Sequence, residues 1–240
     1  MQKLFIDVEP NGKIILNEEQ SRHISKSLRM KVGDMLTLSC GNGKDYGCII
    51  DTIDSKSVTL SVCYEQANNC EPTVKVKLYQ GVPKGDKLED IIQKCTELGI
   101  TEIQPVLTHR SVSRPDSKSA KKKQARYQKI ALEAAQQSGR GIIPTIGEMT
   151  DLKTAVSKDN SQLKILFYEG GGSPLKEIIN KNTQTVSIYI GPEGGFEESE
   201  VALIKENGGT VATLGKRILR TQTAPVAALT AIMLLTDNME

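Results

Sequence analysis

Two hydrophobic rhythms divide the chain. Over roughly its first 70 positions the apolar residues come in short, alternating runs. Leu4-Phe5-Ile6, Met35-Leu36-Thr37-Leu38, and the stretches 46–53 and 58–62 each predict a strand. Gly33-Asp34 and Gly41-Asn42-Gly43 supply turns between them, and Asn17-Glu18-Glu19-Gln20 opens a short helix. Strands this short and closely spaced predict a small barrel or curled sheet. Ala67-Asn68-Asn69-Cys70-Glu71-Pro72 has linker chemistry and marks a boundary. From Thr73 onward strand-like and helix-like segments alternate. Strands are expected at 74–80, 102–107, 163–168 and 186–190, and helices at 87–98, 120–138 and 223–235. The last two strands are almost wholly apolar, as strands buried on both faces of a parallel sheet are. The pattern predicts an α/β class: a small β-barrel domain over 1–70, then an α/β domain with a mostly parallel sheet over 73–240.

Composition adds little to this picture and removes a few options. With 240 residues, 38% hydrophobic and 25% charged, the chain can bury a sizeable core. No apolar run reaches the roughly 20 residues of a membrane span. Met1 to Asp7 meets an acid too early for a signal peptide, so a cytoplasmic location is expected, with no membrane partner. Five cysteines without C-x-x-C spacing, and only His23 and His109, predict neither a zinc site nor a disulfide framework; no metal is expected. A net charge of +2 does not by itself point to nucleic acid. The clustering does: Arg22, Lys26, Arg29 and Lys31 form one basic group. Arg110, Arg114, Lys118, Lys121, Lys122, Lys123, Arg126 and Lys129 form another, a pattern suited to tracking phosphates.

The chemistry concentrates in the last third. Three glycine-bearing loops leave the carboxyl ends of expected strands: Glu169-Gly170-Gly171-Gly172, Ile190-Gly191-Pro192-Glu193-Gly194-Gly195-Phe196, and Leu214-Gly215-Lys216-Arg217-Ile218-Leu219-Arg220-Thr221-Gln222-Thr223. Ligands of open α/β sheets gather at such ends, and glycine lets backbone approach them closely. Gly81 to Lys87 lacks the Gly-Lys-Ser/Thr of a phosphate-binding Walker loop, and no dinucleotide fingerprint is present.

The pairing of Gly-Pro-Glu-Gly-Gly-Phe with Arg-Ile-Leu-Arg some twenty residues later resembles the cofactor loops of knotted (SPOUT-type) methyltransferases. Leu28-Arg29-Met30-Lys31-Val32-Gly33-Asp34, Gln93-Lys94-Cys95-Thr96-Glu97-Leu98-Gly99 and Glu133-Ala134-Ala135-Gln136-Gln137-Ser138-Gly139-Arg140 extend the likeness along the chain. They make it most similar to the ribosomal RNA small subunit methyltransferase E family, which is uridine-N3 specific. That resemblance implies a PUA-like RNA-binding barrel, a trefoil-knot domain, S-adenosylmethionine as cofactor, small-subunit ribosomal RNA as partner, and a homodimer. It implies a cofactor pocket lined by Gly170, Ile190, Gly191, Gly195, Leu214, Ile218, Leu219 and Thr223. RNA contacts are implied at Arg22, Arg29, Arg110, Arg114 and Arg140. Arg220 is the catalytic candidate, with no general base in the three loops. For Leu214 and Leu219 a core role competes, and for Arg217 a plain surface charge. Glu193 has two readings, loop support or cofactor contact. Gln222 stands where the family has Glu, so a carboxylate there cannot be required. The competing expectations are a non-catalytic RNA-binding or ribosome-assembly factor and a methyltransferase with another RNA target.

Overall fold

The computed structural model describes residues 2–54 and 56–239 and falls into two compact units. The first comprises 1–71 and 135–143, the second 72–134 and 144–240.

In the first unit, strands β1 (Gln2–Phe5), β2 (Lys13–Ile15), β3 (Met35–Ser39), β4 (Lys44–Ile53) and β5 (Val58–Ala67) form one sheet in the order β1-β3-β4-β5-β2. Only the β1–β3 pair is parallel. Helix α1 (Glu18–Arg22), capped by Asn17, runs into a π-helical turn at His23–Ser27. Bulges at Gly47/Cys48 and Ile50/Thr52 bend the two long strands. At the first of these the bare Cα of Gly47 takes the Tyr64 ring, which stands 2.2 Å from where a Cβ would be. The curled sheet closes over a core reached from every side: Leu4, Leu36, Leu38, Cys48, Ile50, Val58 and Leu60, with Ile24 from the helical turn. This is the curled sheet that the short alternating runs predict as one of their two outcomes, a small barrel being the other.

The segment 135–143 belongs to this unit although it lies far along the chain, and so modifies the expected 73–240 boundary. Polar bonds, most of them half-buried, hold it. Glu71 accepts from Arg140 Nη2 at 2.6 Å and from the backbone of Gly141 and Ile142, while Lys3 and Asn68 both donate to the Gly139 carbonyl. Arg140 is only 3% exposed. The expectation that it contacts RNA is therefore corrected: its guanidinium is spent on Glu71 inside the first unit.

The second unit is an eight-stranded parallel sheet. Its strands are β6 (Lys75–Gly81), β7 (Glu102–Leu107), β8 (Thr145–Ile146), β9 (Thr150–Asp151), β10 (Leu163–Phe167), β11 (Ser173–Pro174), β12 (Thr185–Ile190) and β13 (Gly209–Thr213). The order is β11-β13-β10-β12-β6-β7-β8, with β9 also on β7. Helices α2 (Lys87–Glu97), α3 (Ser117–Gln137), α4 (Leu152–Lys158), α5 (Leu175–Ile178), α6 (Glu198–Glu206) and α7 (Thr223–Leu235) connect the strands. Helix α2 packs against α7, and α4 against α6. Strand β12 is central and nearly wholly buried, flanked by β6 and β10. The chain leaves β12, skips over β10, and adds β13 beyond it, so the loops after β10, β12 and β13 open at the same edge. That skip decides where a ligand can sit.

Beneath these loops lies a tight core. The rings of Tyr79 and Tyr189 stack at 4.6 Å, and Asp159 accepts from the hydroxyls of Tyr189 and Ser187. Burial would raise the Asp159 carboxyl, but these hydrogen bonds outweigh it and hold it below its ordinary value.

Candidate cofactor site

The three loops meet around a cavity of about 600 Å³, a size suited to a nucleoside-scale ligand. One wall is Phe167 to Glu169, a second Ile190 to Phe196, a third Thr213 to Thr221 with Ala224. The convergence has an identifiable cause. Gln80, fully buried at the end of β6, donates through Nε2 to the Gly81 carbonyl at 3.0 Å, to Thr221 Oγ1 at 3.1 Å and, more weakly, to the Gly191 carbonyl at 3.4 Å. Thr221 Oγ1 in turn donates to the Gly191 carbonyl at 2.9 Å. One amide and one hydroxyl thus tie the second loop to the third. A Cβ on Gly81 would stand 2.5 Å from Pro192 Cδ, and one on Gly191 would stand 3.0 Å from the Gly195 backbone. The glycines here are required by close backbone approach.

The second loop is braced from outside the cavity. Glu193 accepts from Lys87 Nζ at 2.5 Å and from the Lys84 backbone N–H. Burial would raise its carboxyl, but the lysine and the backbone donors prevail and lower it. Glu193 therefore supports its loop, the first of the two readings. Arg110 Nη1 donates to the Gly194 carbonyl at 2.6 Å, and Glu200, buried on α6, accepts from the backbone of Glu197 and His109.

Of the residues that sequence places at the pocket, Ile190, Gly191, Gly195, Leu214, Ile218 and Leu219 line the cavity, as does Arg220. Gly170 and Thr223 do not. After Glu169 the chain turns towards β13, where Gly172 packs on the Val211 carbonyl, so Gly170 sits against the Tyr168 ring instead. Thr223 begins α7 with its N–H donated to the Arg220 carbonyl, leaving Thr221 and Ala224 to face inward. Sequence reasoning passed over Gln80, Thr221 and Glu169. A lone amide closing the apolar run of β6 is a signal that could have marked Gln80, since buried polar side chains need partners.

The cavity's third wall is cationic. Lys216, Arg217 and Arg220 are exposed and take part in no ion pair among the described residues. Elsewhere on this unit Arg114 is exposed, donating to the Thr108 carbonyl. In the first unit Arg22 and Arg29 are exposed. Arg22 pairs with Glu18 at 2.9 Å, and Arg29 has the uncommon left-handed φ of 54°.

Comparison with known proteins agrees with this geometry. A family model described as an RNA methyltransferase domain matches residues 69–233, and an RNA methyltransferase PUA domain matches residues 16–63. The ribosomal RNA small subunit methyltransferase E of Bacillus subtilis (strain 168) is 36% identical, with 99% of this chain and 98% of that protein covered. Its namesake in Mesomycoplasma hyopneumoniae (strain 232) is 31% identical, with 96% and 98% covered. A crystal structure of a ribosomal RNA small subunit methyltransferase E from Neisseria gonorrhoeae bound to S-adenosyl methionine superposes with a TM-score of 0.91 at 30% identity, covering 98% of each chain. The fold class is a PUA domain followed by a parallel α/β domain, consistent with a trefoil knot. On these matches and this architecture, the chain belongs to the ribosomal RNA small subunit methyltransferase E family.

Proposed function

We propose that the protein transfers a methyl group from S-adenosylmethionine to N3 of a uridine in small-subunit ribosomal RNA, as a cytoplasmic homodimer. The observation that carries this reading is the cavity where the loops after β10, β12 and β13 meet at the carboxyl edge of the sheet. Its residues fit such a cofactor. Backbone exposed at Gly191 and Gly195 suits the edges of adenine and ribose, and Leu214 and Leu219 supply apolar wall. When bound, S-adenosylmethionine supplies a methyl group activated by a sulfonium.

The uracil nitrogen is a weakly acidic imide and must lose its proton to become a nucleophile. Unpaired cations aimed at the reacting edge favour that anion, and removing water strengthens their effect. This task falls to Arg220 and Arg217, which line the cavity, with Arg217 or Lys216 also able to hold a phosphate. Gln80 and Thr221 fix the wall that carries them, which provides the alignment that in-line transfer needs. RNA backbone contacts fall to Arg22 and Arg29 on the first unit and to Arg110 and Arg114 on the second.

The test is methylation of small ribosomal subunits from cells lacking this gene, followed by nucleoside mass spectrometry. A gain of 3-methyluridine is expected. A gain of another methylated nucleoside refutes the target atom, and no gain with intact cofactor binding favours a non-catalytic factor.

A further inference from the structure

The cavity wall contains two carboxylates, and the protein answers only one of them. Both oxygens of Glu193 are engaged by Lys87 Nζ and the Lys84 N–H. Glu169, at the end of β10, has no hydrogen-bond or ion-pair partner among the described residues. It is exposed, and its carboxylate lies over Gly195. Its Oε1 and Oε2 lie 2.7 Å and 3.0 Å from the point where a Cβ on Gly195 would stand. Gly195 adopts a left-handed φ of 68°, which favours glycine, and the missing side chain is what makes room for the carboxylate. Glu169 thus reaches from the first loop across to the second. The third loop offers only the cations Lys216, Arg217 and Arg220, so the cavity is acidic on one side and basic on the other.

An ionised carboxylate is acceptor-only, with room for several N–H or O–H donors. Glu169 is open to solvent, but it lines the cavity and its carboxylate lies over a residue without a side chain, so a ligand in the cavity can reach both of its oxygens. Resting on the methyltransferase reading, we propose that Glu169 is a cofactor contact, its carboxylate accepting hydrogen bonds from donor groups of the S-adenosyl nucleoside. Three donor groups share this chemistry: the ribose hydroxyls, the adenine amino group and the ammonium of the methionine end.

Isothermal titration of the wild-type protein and of Glu169→Gln with S-adenosylhomocysteine and with methylthioadenosine separates these sources. Methylthioadenosine keeps the adenosyl part and lacks the ammonium. The expected result is S-adenosylhomocysteine binding weakened about tenfold or more in the variant, as for loss of one charge-assisted hydrogen bond. Equal weakening towards methylthioadenosine supports a donor of the adenosine part, and unaltered methylthioadenosine binding supports the ammonium. Unaltered S-adenosylhomocysteine binding overturns the proposal. A wild-type protein that binds neither compound overturns the methyltransferase reading instead. Glu169 has no partner to lose, so the ligand-free variant should melt with the wild type. Should it not, Glu169→Asp keeps the charge and draws it back by one methylene. Weaker S-adenosylhomocysteine binding in that variant supports the contact, and wild-type affinity refutes it.

Discussion

Replacing Gln80 by Leu tests whether the cavity is held together from beneath. The two side chains are similar in size, so the change removes polarity and leaves little void. Lost are the Nε2 bonds to the Gly81 carbonyl, to Thr221 Oγ1 and, at a marginal 3.4 Å, to the Gly191 carbonyl. At about 1 kcal/mol net for each well-formed bond, the loss is about 2 kcal/mol. An opposing gain exists, because Gln80 Oε1 is buried without a partner, and removing such an atom returns about 1–3 kcal/mol. The two nearly cancel, so the fold should change in stability by about 1 kcal/mol or less, a shift in Tm of no more than about 2–4 °C for a chain of this size. Cofactor binding has no such compensation. Thr221 Oγ1 alone then joins the second loop to the third, and the ligand must order loops that the wild type holds in place. An affinity loss of about tenfold is expected, corresponding to about 1.4 kcal/mol. Titration with S-adenosylhomocysteine and differential scanning fluorimetry read the two quantities separately. A stable variant with wild-type affinity would refute the idea that Gln80 organises the site.

Other substitutions probe separate parts of the molecule. Gly195→Val places a side chain at a φ of 68° and drives it into Glu169, so S-adenosylhomocysteine binding should be lost and stability should fall by about 1–2 kcal/mol; titration and melting check both. Arg140→Ala removes the guanidinium from half-buried Glu71, which keeps its Gly141 and Ile142 N–H donors, and should destabilise the protein by about 1.5–3 kcal/mol in urea unfolding, a cost in folding rather than in phosphate contacts. Arg29→Ala should make the slope of log K against log salt for RNA binding shallower by about 0.7–0.9 and leave cofactor affinity alone; an unchanged slope excludes a phosphate contact. Asp159 has a folded value below its ordinary 3.8, so its contribution is present above about pH 4 and is lost as pH falls through that lower folded value. Asp159→Asn should flatten the acid limb of the unfolding curve, as followed by near-ultraviolet circular dichroism.

The fold was largely legible where burial imposes a period. Strand β7 lies at Glu102–Leu107 and helix α7 at Thr223–Leu235, the spans that their apolar spacing predicts; β10 and β12 differ from expectation by one residue at one end, and β6 by one residue at each end. The strand expected before the third loop, β13, had no readable bounds because Gly209-Thr-Val-Ala-Thr has no apolar run. It forms because β10 and β11 supply partners on both sides. The capture of 135–143 by the first unit was equally hidden, since Glu71, Asn68 and Lys3 reach it only in three dimensions. At the site, glycine spacing located the loops, and their convergence needed the skip of β13 over β10. The roles of Gln80 and Glu169 could not be read from spacing: one works through partners 111 and 141 positions away, the other through the side chain that Gly195 lacks.

A crystal structure of the protein grown with S-adenosylhomocysteine would be the most direct trial of the site. Ligand density is expected inside the hollow bounded by Glu169, Gly191 to Gly195 and Leu214 to Thr221, with the Gln80–Thr221 bond intact. Density at another edge of the sheet, or a hollow filled by the protein's own side chains at saturating ligand, would contradict it.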